Sequence, residues 1–134
     1  MERLHVRWLM LWCVPLVALL ASSSVQAQGF VTPEMLVNGW YRQYLNRAPD
    51  PAASQWIQAL RTGTSPTVVQ SAILGSPEYL RKHGNSRPGF VRGLYQDILG
   101  RQPNPKELNH WTTILQQNGS TQRTALMFLQ SVQR

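Results

Sequence analysis

A chain of 134 residues with 13 Lys and Arg against 6 Asp and Glu carries a formal charge of +7. That length bounds it to one modest domain, and the charge favours anionic partners: acidic polysaccharide, a phosphate-rich surface or nucleic acid. The single cysteine excludes a disulfide framework and a thiolate metal site.

Residues 1–27 read as a secretory signal peptide. Arg3 and Arg7 form the basic start, Trp8 to Leu20 the apolar run, and Val25-Gln26-Ala27 the small-residue cleavage site. An uncleaved N-terminal anchor is the rival reading, but the run falls short of the ~20 apolar residues that a spanning helix needs. Cys13 lies inside this run without the small residues that a lipoprotein site requires before it. The protein is therefore expected to be exported, to the periplasm or the outside. Residues 28–134 then form the folded domain, with eleven basic and five acidic side chains. They include no dense Lys/Arg block, so nucleic acid is not the expected partner.

From residue 32 onward, helix starts recur. Thr32-Pro33-Glu34, Asp50-Pro51, Ser65-Pro66, Ser76-Pro77-Glu78 and Asn104-Pro105-Lys106-Glu107 each set a capping residue before a first-turn proline. Gly63, Gly84 and Gly119 stand where helices stop. Between these points the apolar residues fall three and four apart, as in Leu36/Val37, Trp40/Tyr41 and Tyr44/Leu45, and no segment alternates with a period of two. The pattern predicts helices near 33–46, 51–62, 66–75, 77–83, 89–100, 105–118 and 121–132. The fold class is all-α, preceded by the signal-peptide helix.

The chain also repeats itself. Tyr41, Leu45, Arg47, Pro49 and Asp50 are answered 54 residues later by Tyr95, Leu99, Arg101, Pro103 and Asn104. Trp56 and Ser76 are answered 55 residues later by Trp111 and Ser131. One structural unit used twice is the reading. Pseudo-repeat one covers 33–83, a polar linker 84–89, and pseudo-repeat two 90–134. Helices this short cannot bury their apolar stripes alone, so the two units, about three short helices each, are expected to pack as one compact domain.

The pattern Leu94-Tyr95-x-x-Ile98-Leu99-Gly100-Arg101-x-Pro103-Asn104, then Trp111 and Phe128-Leu129-x-Ser131, resembles the bacterial repeat called domain of unknown function 4214. The first unit fits it through Tyr41, Leu45, Arg47, Pro49-Asp50, Trp56 and Ser76-Pro77-Glu78-Tyr79. The resemblance spans about residues 36–134. It implies a helical layout similar to phycobilisome linker domains and an occurrence in secreted and surface-layer-associated proteins. It supplies no catalytic residue. The chain departs from the pattern where Ala53-Ser54 and Glu107-Leu108 replace an early glycine, where Asn46 stands opposite Gly100, and where Asn104 stands opposite Asp50.

The motif residues read as structural. Arg47 and Arg101 end the first helix of each unit, where a guanidinium meets helix-end carbonyls and a carboxylate such as Asp50 or Glu78. Asp50 as a calcium ligand lacks neighbouring oxygen-bearing side chains and reads better as an N-cap. Trp40, Tyr41, Tyr44, Trp56, Tyr95 and Trp111 recur at helical spacing, as core residues do. Trp40 is singled out as a possible ligand contact because its counterpart is Leu94; Arg42 and Arg92 join it there. His83 and His110 stand in separate contexts, the linker and a helix surface, without metal-ligand spacing. No carboxylate pair or nucleophile elbow appears, so no metal, cofactor or enzymatic activity is expected. The functional expectation is a secreted or periplasmic helical interaction module for a protein or cell-envelope partner. A carbohydrate-binding module for acidic or envelope glycans is the alternative, and exposure of the aromatic residues discriminates between them.

Overall fold

The computed structural model describes residues 29–134; the segment read as a signal peptide lies outside them. The described residues form helices and no strand. In chain order they are α1 (Pro33–Leu45), α2 (Ser54–Arg61), α3 (Pro66–Leu74), α4 (Pro77–Lys82), α5 (Arg87–Leu94), α6 (Pro105–Asn118) and α7 (Thr121–Val132). A 3₁₀ turn, Pro51–Ala53, leads into α2, and a π-helical turn, Tyr95–Leu99, continues α5. None of these helices is long and apolar enough to cross a membrane.

Local chemistry sets most boundaries. Backbone N–H groups donate to the capping side chains of Thr32, Ser76, Ser86, Asn104 and Ser120 at 2.8–3.2 Å. At Asn104 the cap is reciprocal, because Glu107 accepts from the Asn104 N–H at 2.9 Å. Two expected caps differ. Ser65 and Asp50 occupy cap positions without a side-chain cap bond, and the Asp50 carboxylate faces Arg47 instead. The linker read at 84–89 is also shorter than expected: Ser86 caps α5, which starts at Arg87, and Pro88 falls in a first turn that needs no N–H there. Asn46 (φ 54°) ends α1, and Gly100 (φ 67°) ends the π turn at the corresponding position. Both use the left-handed region that stops a helix, which asparagine tolerates and glycine enters freely.

One core joins all of this. It includes Val37, Tyr41 and Tyr44 of α1, Ile73 and Leu74 of α3, Tyr79 of α4, Phe90 and Leu94 of α5, Trp111 of α6, and Phe128 and Leu129 of α7. Its most extensive helix pair is α3 against α7, two helices that correspond in sequence at a spacing of 55. They approach closely at Gly75, where any side chain would enter the Gln122 backbone, and Thr121 Oγ1 donates to the Gly75 carbonyl at 2.7 Å. At the core's C-terminal end the Phe128 ring meets Tyr95 and Trp111 edge-on, each at 5.0 Å between centroids.

Candidate functional site

Six of the motif residues converge in one cleft. Tyr41, Leu45, Arg47, Asp50, Trp56 and Ser76 line it with Glu78, enclosing about 260 Å³. Arg47, directly after the Asn46 cap of α1, is its organising group. Its Nε and Nη2 donate to the two Glu78 oxygens at 2.6 and 2.8 Å, Nη1 donates to the Ala48 carbonyl at 3.1 Å, and Nη2 stands 3.1 Å from Asp50. The guanidinium also covers the Tyr41 ring at 5.0 Å. These bonds hold Glu78 below the ordinary carboxylate range and push Arg47 up. One guanidinium held by two carboxylates is a structural knot, with four of its five N–H donors engaged inside the protein.

The second half builds the same knot with another partner. Arg101 covers the Tyr95 ring at 5.0 Å and donates twice to Glu107, at 2.9 and 2.8 Å. The bonds from Arg101 and the Asn104 backbone pull Glu107 down to about 2. Position 133, the counterpart of Glu78, is glutamine, so the capping-box acid takes over the charge. Trp111 and Ser131 line a groove between α6 and α7, as Trp56 and Ser76 do in the first cleft. Leu99 is partly exposed, and Ser131 is turned back, donating to the Phe128 carbonyl at 2.7 Å.

The three residues offered as ligand contacts are not brought together. Trp40 is only 9% exposed and belongs to the core, which leaves no ring face for a sugar. Its counterpart Leu94 is fully buried, so both positions are core slots. Arg42 is exposed, donating to Asn38 at 3.1 Å, and Arg92 is exposed on α5. Tyr41, Tyr44, Tyr95 and Trp111 are buried as well, and Trp56 is half-buried, so no exposed aromatic row exists among the described residues.

A second cluster was missed from sequence. The hydroxyl of Tyr79, fully buried, donates to Asp97 Oδ2 at 2.8 Å. His83 packs at a tilt against the Tyr79 ring, 4.4 Å between centroids, and its Nε2 lies 3.3 Å from the same Asp97 oxygen without an aligned bond. Gly93 makes the room, since a Cβ there would stand 2.7 Å from the imidazole. Burial pushes the Tyr79 hydroxyl up and the His83 imidazole down, with Lys82 adding to the latter and Asp97 opposing it. His83, read as a linker residue, is thus packed at the joint. The signal was present: Asp97 breaks the correspondence with Gln43, and Gln43 Nε2 donates to the Asp97 carbonyl at 2.8 Å.

Charge is distributed unevenly. Every carboxylate among the described residues is engaged: Glu34 by Arg61, Asp50 and Glu78 by Arg47, Glu107 by Arg101, and Asp97 by Tyr79 and His83. The other eight basic side chains have no carboxylate partner among the described residues. Also among the described residues, no group of three or more His, Cys, Asp or Glu side chains is placed to hold a metal.

Residues 70–132 match the sequence model of a family described as Domain of unknown function (DUF4214). The match runs from α3 through α7, so it crosses the joint at 84–89 and begins later than the expected 36. No curated protein and no solved structure matches the chain.

Proposed function

We propose, taking as premise that residues 70–132 form a DUF4214 domain, that this protein is an exported, non-catalytic helical interaction module. Its basic surface meets an anionic partner in the periplasm or outside the cell, either a protein or a cell-envelope glycan. The observation that carries the reading is the electrostatic one. The fold consumes every described carboxylate internally and leaves eight cations facing outward without one, so the field around the domain is positive. Buried motif aromatics and arginines tied to carboxylates support a structural role for the motif itself. The basic start, apolar run and Val25-Gln26-Ala27 support export.

The test is to express the full chain with its own N-terminus, recover the exported form, and read its first residue. That form is then applied to acidic and neutral envelope polysaccharides at low and physiological salt. A start at Gln28 with retention on polyanions supports the reading. Retention in the cytoplasm overturns export, and equal indifference to both polymer classes overturns the glycan partner and leaves a protein one. Carbohydrate binding is the second reading. With the aromatics buried, it would depend on hydrogen bonding and charge instead of stacking.

A further inference from the structure

The outer face of α6 carries amide and hydroxyl side chains in a helical stripe: Asn109, Thr112, Thr113 and Gln116. They form the wall of a groove of about 320 Å³ whose opposite side is Arg87 and Pro88 at the start of α5. A neighbouring groove of about 470 Å³ shares Asn109 and Thr113 and adds Lys106. A third, of about 200 Å³, meets the first at Arg87. The three depressions adjoin one another through these shared residues, and no carboxylate lines any of them. Arg87 and Lys106, among the eight cations without a described carboxylate partner, stand along it.

We infer that the groove over α6 binds an acidic polysaccharide, a chain of uronate residues, with sugar hydroxyls on the amide–hydroxyl stripe and carboxylates on Arg87 and Lys106. This rests on the basic-surface reading and gives it an address. The chemistry selects the ligand. The side chains of Asn109, Thr113 and Gln116 both donate and accept, as sugar hydroxyls require, while Thr112, whose hydroxyl donates to the Leu108 carbonyl, is left to accept; a forked guanidinium matches a planar carboxylate. No Phe, Tyr or Trp lines the three depressions and His110 is the single aromatic ring there, so successive unstacked bases of single-stranded nucleic acid find no row of rings. A carboxylate-free wall also spares an anionic chain the like-charge repulsion that the Arg47 cleft, with Asp50 and Glu78, would impose.

The experiment measures affinity of the exported form for polygalacturonate and alginate, with neutral dextran and dextran sulfate as comparison polymers, at physiological salt. Arg87→Gln removes a groove cation, Asn109→Ala removes a neutral contact, and Arg42→Gln removes the same charge on α1, outside the groove lining. Melting curves establish that each variant is folded. A charge-assisted contact predicts about tenfold weaker uronate binding for Arg87→Gln and a smaller loss for Asn109→Ala, with Arg42→Gln losing less than about twofold. Equal losses for Arg87→Gln and Arg42→Gln overturn the groove and leave the basic surface standing. Binding to dextran sulfate without binding to uronate polymers does the same. No binding to any polyanion overturns the groove and the glycan partner together.

Discussion

Replacing Tyr79 with phenylalanine removes one oxygen atom from a fully buried side chain and leaves its ring contacts with Tyr44, His83 and Phe90 in place. The loss is the 2.8 Å bond from the hydroxyl to Asp97 Oδ2. A hydrogen bond to a carboxylate contributes roughly 1.5–3 kcal/mol. The Asp97 side chain is 17% exposed, so water replaces part of the interaction, and the lower end, about 1.5 kcal/mol, applies. For a domain of this size that corresponds to a melting temperature about 6–10 °C lower. Thermal melting followed by far-UV circular dichroism at pH 7.5 reads the shift, and urea unfolding reads the free energy. The same substitution in an Asp97→Ala background isolates the bond, and its cost there should fall below about 0.5 kcal/mol. An equal cost in both backgrounds, or a shift under about 2 °C in the wild-type background, refutes the assignment of the bond as the stabilising contact.

Acid should weaken the fold through His83. Burial holds its folded pKa below the ordinary 6.5, so the unfolded chain takes up the proton first. Stability is therefore full above about pH 6.5 and declines as pH falls toward the folded value, with His83→Gln flattening the slope between pH 7.5 and 5; a slope unchanged by the substitution counts against it. Carboxylates act in a separate, lower window, since Glu107 titrates near 2 and its stabilisation is lost only as pH falls from its ordinary 4.5 toward that value. Arg47→Ala breaks a partly exposed bidentate pair and the Tyr41 contact, for about 1 kcal/mol and a drop of several degrees. The more exposed Arg101→Ala should lower the melting temperature less, and the reverse order would contradict the pairing described.

The helix starts were legible because capping is local: a side chain and an N–H three residues later decide it, as at Thr32, Ser76 and Asn104. Asp50 was misread for a reason outside its own turn, since Arg47 competes for its carboxylate. The π turn at Tyr95–Leu99 left no periodic trace, because it spans one turn within a continuous apolar face that packs Tyr95 onto Phe128. Tyr79, His83 and Asp97 come from α4, its C-terminus and the π turn, and only packing makes them neighbours. Trp40 looked exceptional because tryptophan replaced leucine, yet the slot itself is core on both sides. The stripe on α6 carries no sequence signal of its own, since a groove requires the second wall that α5 supplies.

The two arginine knots differ in how far along the chain they reach. Arg101 finds Glu107 six residues away, within one turn-and-helix start. Arg47 reaches across 31 residues to Glu78, and so waits until α2, α3 and α4 have come back to the end of α1. Closing a short loop costs less chain entropy than closing a long one. The Arg101–Glu107 corner is therefore the part that a collapsing chain forms early, and the Arg47–Glu78 clasp fastens late. Substitutions at the first pair should slow folding, and those at the second should chiefly speed unfolding, a division that the two arms of a denaturant chevron separate.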